Sequence, residues 1–168
     1  MKVLGIDPGY AIVGYGVITY SNMRFQTLDY GAIITGAKEE FSARLLHIYD
    51  EYVALLKKHK PDAVSVEKLF FTTNQKTAID VAQARGLILL GAAQYGIPVF
   101  EYTPLQVKQA VVGYGKALKP QVMEMTRIIL KLEKVPKPDD TADALAIAIC
   151  HAHTAPSLMQ MQRLQNYK

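Results

Sequence analysis

Four acids stand where a chain seldom leaves charge: Asp7, Glu67, Asp140 and Asp143 each lie at one end of an apolar run. Asp7 closes Val3-Leu4-Gly5-Ile6 and is followed by Pro8-Gly9. Glu67 closes Ala63-Val64-Ser65-Val66. Asp140 and Asp143 open Ala144-Leu145-Ala146-Ile147-Ala148-Ile149. Singly, each has an ordinary use: a turn residue, the polar end of a strand, or, with Asp139, first-turn acids that complement a helix dipole. Core-forming segments that each carry an acid at one end instead suggest one shared site, because carboxylates are rarely buried unless paired or bound to metal. Four negative charges in one cleft repel unless cations enter, and an all-oxygen donor set selects Mg²⁺ or Mn²⁺ over zinc or copper. Two such ions about 3.5–4 Å apart clamp the attacking and leaving oxygens of a phosphodiester.

The elements that must bring these acids together can be read from periodicity. Lys2 to Ile6, Ala11 to Tyr20 and Arg24 to Ile34 read as a three-strand meander, with a turn at Ser21-Asn22. From Phe41 to His59 the period becomes helical, with Leu45, Ile48, Tyr52, Leu55 and Leu56 on one face and Lys57, Lys58 and Lys60 near the C-terminal end. Ala63 to Val66 is a fourth strand, delivering Glu67. Asn74 to Tyr95 is a long helix ended by Gly96 and Pro98, rich in small residues that serve packing on a sheet, a partner subunit, or both. Ile97 to Glu101 is a fifth strand. Thr103-Pro104 opens a helix to Val112, and Lys119-Pro120 opens another, with Val122, Met125, Ile129 and Leu132 on one face. The last helix starts at Asp139 or Asp140 and ends near His151. Residues 1–153 form one α/β domain with a mixed sheet, and 154–168 are a surface or flexible tail.

Asp140 and Asp143 are three apart, so both face one side of that helix, and Ile147 carries the same face inward. Asp7 and Glu67 join them only if their strands are neighbours.

Composition narrows the class. The chain has 168 residues, enough for one sizeable core, and its 50% hydrophobic and 20% charged content excludes disorder. The net charge of +4 leans mildly towards polyanions. A lone Cys150 excludes an internal disulfide and a cysteine-cluster zinc site, and reads as a small core residue. No apolar run reaches the roughly 18 residues of a membrane span, and no signal pattern opens the chain, so a soluble, cytoplasmic protein is expected. His47, His59, His151 and His153 match no metal-ligand spacing. His151 and His153 fit the C-terminal end of the last helix, where they favour its dipole.

Five motifs occur in order: Gly5-Ile6-Asp7-Pro8-Gly9, Val66-Glu67-Lys68-Leu69-Phe70-Phe71, Gln83-Ala84-Arg85-Gly86, Val107 to Gly113, and Asp140-Thr141-Ala142-Asp143 running on to Ala148. Over about Lys2 to His153 this pattern resembles the RuvC family of bacterial Holliday-junction resolvases, within the RNase H-like superfamily. The resemblance implies an RNase H-like fold, a mixed five-stranded sheet flanked by helices. It implies a homodimer that nicks two opposed strands of a four-way junction symmetrically, leaving 5′ phosphates, during recombination and repair. The metal-binding catalytic set maps onto Asp7, Glu67, Asp140 and Asp143, holding two Mg²⁺ per site with Mn²⁺ as substitute. A branch-migration motor with its junction-binding subunit, of the RuvA and RuvB type, would present the junction.

The same resemblance places Phe70 on an unpaired base at the junction centre, a stacking role that suits one of two adjacent loop aromatics. It puts Lys108 and Lys119 near the scissile phosphate. Lys116, by proximity to the Gly113 to Gly115 break, and Lys76, beside Asn74 and Gln75, are further candidates for backbone contact. Three rivals predict otherwise. Another RNase H-like nuclease would cut hybrids or linear ends without a junction requirement. A junction-binding protein without nuclease activity would not need every acid. An actin-like ATPase needs two lobes, for which the chain is too short and lacks a second phosphate loop.

Overall fold

The computed structural model describes residues 1–68 and 75–165, and the side chains of 1–68 and 78–155. Strands β1 (Lys2–Asp7), β2 (Ile12–Ser21) and β3 (Arg24–Ile34) form the antiparallel meander that the alternation predicts. The β2–β3 turn is tight, with Asn22 and Met23 both at positive φ. Helix α1 (Phe41–His59) follows, then β4 (Ala63–Glu67), α2 (Gln75–Gln94), β5 (Val99–Tyr102), α3 (Pro104–Val112), α4 (Lys119–Ile129) and α5 (Asp139–Gln165). The sheet order is β3-β2-β1-β4-β5, with β4 and β5 parallel to β1.

Helix boundaries follow local chemistry. Helix α1 stops where Lys60 turns left-handed and its N–H caps the Leu56 carbonyl, just before Pro61. Helix α3 starts at a capping box: the Thr103 hydroxyl accepts from the Gln106 N–H, and the Gln106 side chain accepts from the Thr103 N–H.

Alternation along β1 sorts the core into two layers. Leu4 and Ile6 face α1 and α2, where they join Val64, Val66, Ile48, Tyr52, Leu56 and Ile88. Val3 faces the other way, into a cluster built from α3, α4 and α5 with Val107, Val122, Leu145 and Ile149. Gly5 and Asp7 share the parity of Val3, and Glu67 shares that of Ser65. Both acids therefore leave the sheet on the α5 side.

Two expectations need correction. Helix α5 does not end near His151 but runs to Gln165, and Ala152 and Ala155 continue its buried face past the expected end. On α4 the buried residues are Val122, Met123 and Thr126, with Leu130 at the C-cap. Met125, Ile129 and Leu132, the face expected with Val122, are half-buried and pack against the same core, with Leu132 just beyond the helix. The Thr126 hydroxyl can be buried because it donates to the Val122 carbonyl at 2.8 Å.

His151 is the second correction, since it does not serve a helix terminus. It is 1% exposed, sits 4.4 Å from the Phe100 ring and meets the Tyr102 hydroxyl through Nδ1 at 2.7 Å. Burial pushes its pKa down to about 4. The folded chain thus keeps His151 neutral while the unfolded chain protonates it near its ordinary value of about 6.5. The stability tied to this group is fully present above that value and is lost as pH falls towards 4. The melting temperature of the native chain should therefore drop more steeply across that window than that of His151→Asn. Parallel slopes would show that the imidazole plays no part in acid sensitivity.

Candidate active site

The site forms where β1 and β4 end side by side. Ile6 pairs with Val66, so Asp7 and Glu67 emerge as neighbours at the carboxyl edge of two parallel strands. The long-range adjacency that the motif spacing leaves open is thus present. On the other side Asp7 pairs with Gly14 of β2.

Helix α5 brings the remaining acids because the sheet beneath it is bare. A Cβ at Gly5 would strike the Ala144 carbonyl oxygen, and one at Gly14 would strike the carbonyl oxygen of Asp140. These two glycines let the first turns of α5 lie directly on β1 and β2, which sets Asp140 and Asp143 beside Asp7. The Thr141 hydroxyl fastens that turn by donating to the Gly31 carbonyl at 3.0 Å.

Asp7, Glu67 and Asp143 open into one cleft of about 190 Å³, walled by Pro104, Val107, Val122 and Ile147 and flanked by Lys108 and Lys119. Asp140 does not line the cleft, but its charge reaches both Asp7 and Asp143. Burial, then the charges of Glu67, Asp143 and Asp140, hold the Asp7 carboxyl well above the usual carboxylate range. Glu67 is also raised, by burial and by Asp143. Asp143 is raised by burial, against the pull of a hydrogen bond from Lys119. Lys119 donates to Asp143 at 2.8 Å and lies 3.8 Å from Asp139. Burial works against its ammonium, yet the hydrogen bond and charge of Asp143 hold its pKa above the ordinary value.

This donor set fits a hard divalent cation. It is all carboxylate, partly desolvated, and its acids resist ionising together, so a counter-charge is what the cleft lacks. Among the described residues no three acid, histidine or cysteine side chains are gathered closely enough to hold a metal ion as they stand. The acids line an open cleft, and Lys119 stands in it as their present counter-ion.

The lysines divide. Lys108 and Lys119 flank the acids as the motif pattern implies. Lys116 is exposed on the α3–α4 connection and does not line the cleft. Phe70 lies outside the described residues, and so does the Lys76 side chain. The apolar walls at Pro104, Val107 and Val122 were missed in the sequence. The signal for them was available in the α3 cap and in the apolar face of α4. Arg44 was also missed, although its spacing to Ile48 and Tyr52 places a charge on the buried stripe of α1.

Among the described residues no helix is long and apolar enough to cross a membrane. The family model for crossover junction endodeoxyribonuclease RuvC matches residues 3–151. The chain is 56% identical over 154 residues to the RuvC endodeoxyribonuclease of Ruminiclostridium cellulolyticum, covering 92% of this chain and 93% of that one. It is 59% identical to that of Syntrophomonas wolfei, covering 92% and 90%. The Thermus thermophilus RuvC structure superposes with a TM-score of 0.86 at 38% identity, covering 94% of this chain and 96% of that one. Thermus RuvC in complex with a Holliday junction substrate gives 0.88 at 39% identity, covering 92% and 94%. These matches show that the chain belongs to the RuvC family of crossover junction endodeoxyribonucleases.

Proposed function

We propose that this chain is a divalent-metal-dependent endonuclease that resolves four-way DNA junctions by paired, symmetric nicks. The observation that carries the reading is the emergence of Asp7 and Glu67 from adjacent parallel strands into one cleft with Asp143, between two lysines. Asp7, Glu67 and Asp143, with Asp140 beside them, would hold Mg²⁺, or Mn²⁺ in its place. When bound, the metal lowers the pKa of the attacking water and neutralises charge on the leaving 3′ oxygen.

The protein's own part is positioning. Lys108 and Lys119 bind and orient the scissile phosphate from the cleft rim, and Lys116 adds a peripheral backbone contact. Lys119, which neutralises Asp143 here, would be free for the phosphate where a metal held by the acids supplied that counter-charge instead. Pro104, Val107, Val122 and Ile147 exclude bulk water and strengthen every charge interaction inside. Phe70 stacks on an unpaired base, and Lys76 reaches a neighbouring phosphate. Phe70→Ala should slow cleavage about tenfold or more while junction affinity changes by less, since base stacking is worth about 1–3 kcal/mol. Native cleavage rates in that variant would leave Phe70 a packing residue.

Paired nicks need two sites, and α2 supports a homodimer. The helix is apolar around most of its circumference, yet Ile79 and Leu90 are 65% and 51% exposed, and Gly86 meets open space. A second copy laid along this face would cover it. Family membership supports two further parts of the proposal: a cytoplasmic setting, and delivery of the junction by a branch-migration motor with its junction-binding subunit. A supercoiled plasmid carrying an extruded cruciform tests the dimeric reading. Linear product formed without an accumulating nicked circle is expected. Nicked circle alone would contradict paired action.

A further inference from the structure

Arg44 occupies the buried stripe of α1 at 8% exposure, in line with Ile48 and Tyr52, and no carboxylate among the described residues pairs with it. A buried guanidinium is unfavourable unless its donors are used. Among the described residues, the partners of its guanidinium all lead to one short segment. Its Nε donates to the Thr35 hydroxyl at 2.8 Å, one terminal nitrogen donates to the Tyr10 carbonyl at 3.2 Å, and its Cζ lies 4.7 Å over the Tyr10 ring. Thr35 acts in the same direction. Its hydroxyl donates to the Tyr10 carbonyl at 2.7 Å, and its N–H donates to the Ala11 carbonyl at 3.0 Å. Phe41 is a further neighbour of Tyr10, with ring centroids 6.2 Å apart and the rings tilted by 59°.

Tyr10 and Ala11 belong to the connection, residues 8–11, that joins Asp7 to β2. Were Arg44 only filling space, an aliphatic side chain at this position would fill it without a charge to desolvate. Its fork instead ties α1 and the residue that follows β3 to the backbone three residues after Asp7. We propose that Arg44 is a positioning residue: through Thr35 and Tyr10 it holds the loop that follows Asp7, and so aims the Asp7 carboxylate for divalent-cation binding.

The inference rests on the metal-dependent reading above, and one experiment separates the two. Mn²⁺ is titrated calorimetrically, without DNA, into metal-free native protein, Asp7→Asn, Arg44→Met, Arg44→Lys and Thr35→Val. Each titration is run well below the melting temperature of that variant. Arg44→Met should weaken Mn²⁺ binding by about tenfold or more, the range found for groups that orient metal ligands. Thr35→Val should weaken it by less, and Arg44→Lys should recover part of the loss. A variant Arg44→Met that melts earlier but binds Mn²⁺ like the native chain overturns the proposal and leaves Arg44 a core residue. If Arg44→Met does not fold, Arg44→Lys and Thr35→Val decide by the same rule: weakened Mn²⁺ binding supports the proposal, and native affinity in both overturns it. A native chain that binds no Mn²⁺, or binds it equally as Asp7→Asn, fails the metal reading itself and takes this inference with it.

Discussion

Asp7→Asn is expected to bind a four-way junction as the native chain does and to cut it at least about 10³-fold more slowly. The loss corresponds to the several kcal/mol of charge stabilisation that a bound metal contributes to the transition state. Binding should survive because the phosphate contacts proposed above are made by Lys108 and Lys119 at the cleft, and not by Asp7. The same substitution should stabilise the metal-free protein. Burial and three neighbouring acids raise the Asp7 pKa far above its unfolded value. The favourable contribution of this group is fully present only below its unfolded pKa, and is lost as pH rises through the folded one. At neutral pH the native carboxylate therefore opposes folding, and asparagine removes that opposition. A gain of about 1–2 kcal/mol, or several degrees in melting temperature, is the size expected for such a functional-site change. Added Mg²⁺ should then raise the melting temperature of the native chain and not that of the variant. Calorimetric melting with and without Mg²⁺ checks both signs, and a variant less stable than the metal-free native chain would refute the electrostatic account.

Gly14→Ala should be the most damaging single-methyl change near the site. A Cβ there collides with the Asp140 carbonyl, which is backbone and cannot rotate away. The first turn of α5 must lift, and the Thr141 bond to the Gly31 carbonyl must lengthen or break. Overpacking of this kind costs about 1–3 kcal/mol. The effect on catalysis should exceed what that figure alone implies, because Asp140 and Asp143 shift together relative to Asp7. A displacement of about 1 Å at catalytic groups is enough for roughly 10²-fold. The expected result is a folded, junction-binding protein with cleavage reduced by about that factor and Mn²⁺ bound more weakly. Native Mn²⁺ affinity with slowed cleavage would mean that α5 stays seated and the harm arises elsewhere.

Much of this arrangement can be read from periodicity, for identifiable reasons. The alternation of β1 to β3, the helical stripe of α1 and the Thr103 cap are local signals, and the structure places those elements within a few residues of the expected bounds. The acids stand out because each breaks an apolar pattern. Their convergence is not local: it depends on β1 pairing with β4 across some sixty residues of chain, and no spacing rule reports that pairing. The role of Gly5 and Gly14 is hidden for the same reason, since a bare patch on a sheet acquires meaning only when α5 lies on it. His151 was misread because the dipole argument assumed that the helix ended there; Ala152 and Ala155 show that it continues. Arg44 was legible in principle, but a charged residue on an apolar stripe looks like an interruption until its partners, Thr35 and Tyr10, are seen.

The central claim is that the acids at the β1–β4 edge form the catalytic centre of a junction-resolving nuclease. The most direct test is cleavage of a synthetic four-way junction with a mobile core, alongside a linear duplex, in Mg²⁺ and in EDTA, with nicks mapped to the nucleotide. Symmetric paired nicks at the crossover, only on the junction and only with metal, are predicted. Cleavage that persists in EDTA, or that cuts the linear duplex equally well, would contradict it.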